Sequence, residues 1–354
     1  MRTALLPLLA VVLGLIAGAI LMISAGANPI DAYAAMFRGS FGGLTEFGRT
    51  LEKATPLILG GLAVAFAFKA GLFNIGGQGQ LLLGAAFAAW AGFRFNLPPL
   101  LHIPFTLIVG GAIASLLGAV VGILKATRGV HEVISTIMFN FVAANFTDWL
   151  ASRDGPWFDP PETNPSNLAR TPVVAESARI PRVEGLPLGF LVAIAAAILI
   201  WWILEKTTLG FEIRTVGANR HAAAYAGISG TRMIILTMMI SAFLAGLGGA
   251  IQTTGVVGRY QPGFNTGLGF DGITIALLAQ THPIGVIPAA LLLGAMDAGS
   301  SLMQAESSVE PEVISLIQAF ILLLVAAPTV VRWITRLRQA GEGEQIQLSS
   351  GWGG

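Results

Sequence analysis

The chain has 354 residues, 54% of them hydrophobic and 11% charged, with a mean hydropathy of +0.74; an average soluble domain carries about 25% charged residues. So little polar surface cannot cover a globule of this length, so the bilayer must solvate much of the chain. A formal net charge of +1 points to no nucleic-acid partner, and the absence of cysteine excludes a disulfide framework, thiol catalysis and Cys-ligated metal.

Residues 4–23 are an apolar run of 20 after Met1-Arg2. The apolar core of a cleaved signal peptide has about 7–15 residues, whereas a bilayer needs ~20. The run therefore predicts a first transmembrane helix with its amino end inside. Residues 28–53 are mixed, and Asp31, Tyr33, Met36 and Phe37 suggest a short amphipathic piece at the outer surface. Spans follow at 54–70 and 72–92, with Gly71-Leu72-Phe73-Asn74-Ile75-Gly76-Gly77-Gln78-Gly79-Gln80 between them. Glycine-broken backbone at membrane depth is tolerated only when buried in protein or lining a water-filled cavity. Asn74, Gln78 and Gln80 therefore either border a solute pathway or satisfy the backbone groups that the glycines free.

A span at 103–124 is closed on the inside by Lys125 and Arg128, and one at 133–150 returns outward after His131-Glu132. The charged, Pro-rich segment 151–185 lies outside, either as a surface that meets a soluble protein or as a flexible loop. Residues 186–204 cross inward to the polar loop 205–232, where Lys206, Arg214, Arg220, His221 and Arg232 face only Glu205 and Glu212. Short loops rich in Lys and Arg stay in the cytoplasm. Within this loop Asn219–Tyr225 suits a short helix with an exposed capping end. It is either a solvated turn or a docking element; its length and its Ala222-Ala223-Ala224 run argue for docking.

Residues 233–251 cross outward, 271–280 are too short to span upright and suit a half-helix, and 284–303 and 313–331 complete the set. Arg332, Arg336 and Arg338 close the last span, and residues 333–354 form a cytosolic tail. The expectation is an all-α polytopic membrane protein in one domain, 1–354, with about ten transmembrane segments, short or broken ones included, and both termini cytosolic. Its 44 glycines, about one residue in eight against a ~7% average, suit close helix packing, as at the G-x-x-x-G pairs Gly14–Gly18 and Gly118–Gly122. Phe73-Asn74-Ile75-Gly76 also echoes Phe264-Asn265-Thr266-Gly267 on the opposite predicted side, as inverted repeats require.

An energy source is not visible. The four lysines follow Glu52, Phe68, Leu124 and Glu205, so no Walker A loop exists. Ser135 stands where a zinc-protease motif opened by His131-Glu132 needs its second His. Ion-coupled transporters keep ionisable residues within their spans. Only Asp297 lies well inside one, either lining a pathway or bonded near the outer end to Ser300 or Ser301. The driving force therefore has to come from a partner.

Four stretches resemble the membrane permeases of bacterial ATP-binding cassette importers, most of all the nucleoside branch related to those for simple sugars and branched-chain amino acids. They are Thr55-Pro56-Leu57-Ile58-Leu59-Gly60-Gly61-Leu62-Ala63 running into Gly71–Gly76, Gly79 and Gln80; Gly129–Met138 with Asn140; Arg214–Gly217 to Ala226-Gly227; and Gly269–Ile273. The resemblance implies a translocation subunit without catalysis, cofactor or metal, in the bacterial inner membrane. Its implied partners are a cytosolic ATP-binding subunit, a second permease, often a paralogue, and an extracytoplasmic solute-binding lipoprotein. The stretch with Gly217, Asn219, Arg220, Ala222, Ala223, Tyr225 and Gly227 corresponds to the family's coupling helix. The matching motifs add His131, Glu132 and Asn140 to the candidate pathway residues Asn74, Gln78, Gln80 and Asp297; His131 stands where the family more often has Asn.

Overall fold

The computed structural model describes residues 5–264, 267–307, 309–310 and 312–327. In chain order its helices are α1 (Leu5–Ser24), α2 (Pro29–Phe41), α3 (Leu44–Lys69), α4 (Gly77–Arg94), α5 (Pro99–Arg128), α6 (Glu132–Ala151), α7 (Leu188–Lys206), α8 (Thr208–Ala218), α9 (Arg220–Tyr225), α10 (Gly230–Gln252), α11 (Leu268–Leu278), α12 (Val286–Ser307) and α13 (Glu312–Ala326). A helix that is apolar all round belongs inside a bundle. The central helix is α3, where Leu57, Ile58, Leu59, Leu62, Val64 and Phe66 point in successive directions and are all buried. It packs against α7, α10, α11 and α12.

Each of the ten predicted runs falls on a helix: α1, α3 to α7 and α10 to α13. Six of these, α1, α3, α5, α7, α10 and α12, are long and apolar enough to cross a membrane by length and composition. Among the others, α4 carries Gln78 and Gln80, α6 carries Asn140, Asn145 and Asp148, and α11 and α13 are short.

Several boundaries move. The mixed stretch 28–53 is two elements. Asn28 caps α2 by accepting from the Ile30 N–H at 3.0 Å. The Ala32, Ala35, Gly39 and Ser40 face of α2 is buried, with Gly39 against Gly299 and Leu302 of α12, while Phe37 and Phe41 point away. From Leu44 the chain already belongs to α3, whose first turns carry Glu46, Arg49 and Lys53. Apolarity reveals only the part of a helix at membrane depth, so charged helix ends read as loop. The loop 205–232 holds two helices, α8 and α9, joined at Asn219, which ends one and caps the next by accepting from the Ala222 N–H at 3.0 Å.

Glycines set the closest contacts. Gly14 and Gly18 of α1 lie against Ile321 and Ile317 of α13, and Gly118 and Gly122 of α5 lie against Met238 and Ile235 of α10. A Cβ at Gly84 of α4 would strike the Gly246 carbonyl of α10. Small residues let backbones approach where no hydrophobic force acts between helices.

The segment between α6 and α7 is folded, which removes the flexible-loop alternative. Asp159, 2% exposed, takes Arg170 Nε at 2.8 Å and has Arg259 Nη1 at 3.7 Å. Trp157 packs on Phe87 and Trp90 of α4, with centroids 5.0 and 6.1 Å apart. Backbone N–H groups of Thr171, Val174 and Ile180 donate to carbonyls of Tyr260, Gly258 and Thr254. A two-residue hairpin, β1 (Arg182–Val183) and β2 (Leu186–Pro187), turns at Glu184 and Gly185, both with positive φ, as a primed turn requires. Asn265 and Thr266 of the predicted internal echo, Met1-Arg2, the arginines 332, 336 and 338 and the tail 333–354 lie outside the described residues.

Candidate functional site

Between the end of α3 at Lys69 and the start of α4 at Gly77, the backbone loses helical hydrogen bonds inside the protein. Such groups must find other partners, and side-chain amides supply them. The Asn74 carboxamide accepts from the Gly76 N–H at 3.0 Å and donates to Gln80 Oε1 at 2.9 Å and to Ser241 Oγ at 2.7 Å. Ser241, on α10, in turn donates its O–H to the Ala63 carbonyl of α3 at 2.6 Å. Asn140 of α6 accepts from the Gly79 N–H at 2.8 Å and donates to the Ile75 carbonyl at 2.9 Å. Gln78 accepts through Oε1 from the Gly269 N–H of α11 at 2.9 Å. Residues of α4, α6 and α10 thus bond to the seven irregular residues 70–76, and α11 is tied to the first turn of α4.

The candidate pathway residues do not all gather here. Asn74, Gln78, Gln80 and Asn140 form one cluster; Asn74 and Gln80 are 1% exposed, Gln78 and Asn140 7%. Glu132 stands at the first turn of α6, ion-paired at 2.7 Å with Lys125 of α5, while His131 is the preceding cap residue. This pair closes the α5–α6 turn, whose Gly129 takes the left-handed conformation. Asp297 of α12 instead accepts from Gln318 of α13 at 2.9 Å. Ser300 donates to the Asp297 backbone carbonyl, not to its carboxylate, so the predicted serine partnership does not form.

The predicted coupling residues divide into two sets. Gly217 is an internal contact, where a Cβ would strike the Lys69 carbonyl at the end of α3 and the Ala70 that follows it. Ala223 is fully buried, and its inward direction corrects the expectation of a flat outward Ala222-Ala223-Ala224 face. Asn219, Arg220, Ala222, Tyr225 and Gly227 are exposed, Tyr225 to 94%. The break at Gly71 therefore sits directly against the α8–α9 segment, with Gly71 and Gly217 backbones in contact.

Sequence reading missed Ser241 and Gln318, polar residues within apolar runs that bond across helices. A single hydroxyl or amide in an otherwise apolar span was the available signal. Among the described residues no group of three or more His, Asp or Glu is placed to hold a metal ion. With its donors and acceptors engaged, the amide cluster is a rigid polar seam in an apolar bundle, suited to shape a wall.

Residues 47–326 match the family described as branched-chain amino acid transport system / permease component, and the chain belongs to that family. It is 42% identical to the guanosine ABC transporter permease protein NupP of Bacillus subtilis, over 95% of this chain and 97% of the relative. It is 35% identical to the nucleoside ABC transporter permease protein NupB of Lactococcus lactis, over 93% and 92%. The glucose ABC transporter permease protein TsgB13 of Haloferax volcanii is 33% identical, over 90% and 86%. Both bacteria also hold a second ABC permease that is 28% identical to this chain. The chain is thus a multi-pass permease component of an ABC transport system in the cytoplasmic membrane, a class of translocation subunits.

Proposed function

We infer that the chain is the permease subunit of an ATP-driven nucleoside importer. The observation that carries this reading is the 42% identity to a guanosine permease along almost the whole of both chains. ATP is hydrolysed by a separate cytosolic subunit, since no Walker A lysine exists in this sequence. The chain pairs with a second permease and receives solute from an extracytoplasmic binding lipoprotein; the presence of two related permeases in each bacterial relative's organism supports pairing.

In this reading ten helices cross the membrane, the short α11 counted as a half-helix, with both termini in the cytosol. The basic loop carrying α8 and α9 faces the cytosol and docks on the ATPase through Asn219, Arg220, Ala222, Tyr225 and Gly227, with Ala223 and Gly217 anchoring the loop from behind. The folded 151–187 segment faces outward to the binding protein. The solute passes beside the broken start of α4: Gln78 and Asn140 edge the route, Asn74 and Gln80 hold its wall, and His131 and Glu132 stand toward the inner end. Asp297 borders the route from α12.

Reconstitution tests this. The chain with its permease partner, ATPase and binding protein should import labelled nucleosides only with ATP. The chain alone, under an imposed proton or sodium gradient, should accumulate none; concentrative uptake by it alone would overturn the reading.

A further inference from the structure

Thr237 of α10 is fully buried, yet its hydroxyl has no hydrogen-bond partner among the described residues. Helical threonines can bond back to a carbonyl three or four residues earlier, as Thr106, Thr136 and Thr147 do here. The Thr253 hydroxyl is also without a partner, but it opens the π-helical turn Thr253–Val257, where the backbone departs from α-helical geometry. Thr237 lies in regular helix. A buried polar group left unsatisfied is costly and calls for an explanation.

Its position supplies one. Residues four apart on a helix share a face, so Thr237 stands under Ser241, about 6 Å along the axis, on the side nearer the α8–α9 loop. Ser241 is engaged: it accepts from Asn74 Nδ2 at 2.7 Å and donates to the Ala63 carbonyl of α3 at 2.6 Å. Gly248, on the same stripe, meets Leu59 and Pro56 of α3, so the stripe looks toward α3 and the break that follows it. Helix α10 thus offers Asn74 two hydroxyls one turn apart, one used and one idle. An amide both donates and accepts, so it satisfies a hydroxyl at either position. Departure of Asn74 would not orphan Ser241, whose own proton already goes to Ala63.

The start of the break touches the docking loop. Gly71 is left-handed at φ +68°, and its backbone lies against Gly217 near the end of α8. Neither residue has a side chain to yield, and Ile213 and Val216 of α8 are buried. A shift of the loop is therefore passed to the break as a push between backbones. We propose that Asn74 is a two-position latch, bonded to Ser241 in this structure and moving one turn to Thr237 when the ATPase moves the α8–α9 loop. One-turn steps of one element past another occur in switching proteins. Thr237 is then a positioning residue, which holds the amide seam, and with it the wall of the solute route, in the second state. The latch rests on the ATP-driven importer reading.

Two measurements on the assembled transporter in nanodiscs test it. Thr237→Val removes the hydroxyl at nearly constant shape. It should lower the maximal rate of ATP-driven inosine uptake several-fold, leave the half-saturating inosine concentration unchanged and leave the melting temperature unchanged or higher; Thr237→Ser should restore the rate. An unchanged rate, a shifted half-saturation or a lowered melting temperature for Thr237→Val would overturn the latch. Because the chain has no cysteine of its own, introduced pairs report the movement. A short thiol cross-linker should join Asn74→Cys to Ser241→Cys without nucleotide, and Asn74→Cys to Thr237→Cys after trapping with ATP and vanadate. The same cross-linking in both conditions would overturn the movement. A parent transporter that imports no nucleoside, while ATP still switches the cross-link, would overturn the nucleoside reading and leave the latch standing.

Discussion

The backbone N–H of Gly269 donates to Oε1 of Gln78 at 2.9 Å and so ties the first turn of α11 to the first turn of α4. The two starts are so close that a Cβ at Gly269 would strike the Gln78 backbone. Both helices begin inside the bundle after irregular chain, the arrangement that discontinuous helices in transporters share.

Gln78→Ala leaves the Gly269 N–H without its partner. An unsatisfied buried donor costs ~1–3 kcal/mol. The variant complex should melt lower than the parent in nanodiscs. If Gln78 also edges the solute route, uptake should change unequally among nucleosides. An unchanged melting temperature would contradict the bond.

Asn74 and Ser241 are 167 positions apart in sequence and bonded at 2.7 Å. Each replaced singly by Ala strands the other's partner; together they remove the link with less residual damage. The double variant should therefore lose less stability than the sum of the singles, by ~0.5–3 kcal/mol. A double-mutant cycle in denaturant reads this directly, and strict additivity would mean that the seam does not act as a unit.

Glycine substitutions should separate by contact. Gly84→Ala drives a methyl into the Gly246 carbonyl, and α4 must part from α10. Gly230→Ala, at the half-buried start of α10 with nothing within 4 Å of an added Cβ, should be neutral or stabilise by up to ~1 kcal/mol, since Ala exceeds Gly in helix propensity. Thermal melts of the two variants should shift in opposite directions, or the first alone should fall.

The α9 helix should likewise give two phenotypes. Ala223→Asp buries a carboxylate with no cation and should lower yield and melting temperature, even in the isolated chain. Tyr225→Ala, at a side chain 94% exposed, should leave the isolated fold intact while weakening co-purification with the ATPase. Full recovery of the ATPase with Tyr225→Ala would remove that side chain from the docking surface.

Much of this architecture can be read from the chain because apolar length is a local property: all ten runs fall on helices. What stayed hidden is non-local. The order of the 151–187 segment comes from contacts such as Asp159 with Arg259, and Tyr260 with Asp148 at 2.9 Å, across sequence distances that composition does not span. Burial and the nearby Asp148 carboxylate push the Tyr260 phenol well above the usual tyrosine range, so it remains a proton donor to that carboxylate. The amides were visible as polar residues in an apolar stretch, yet their partners Ser241 and Gly269 lie more than a hundred positions away. In α9, adjacent alanines carry no periodicity from which the inward turn of Ala223 could be deduced.

The most direct test is ATP-dependent uptake of labelled nucleosides by the reconstituted transporter, with glucose run in parallel. Nucleoside accumulation that requires ATP, the binding protein and this chain is the expected result. Glucose accumulation with no nucleoside uptake, or nucleoside uptake by this chain alone on an ion gradient, would contradict it.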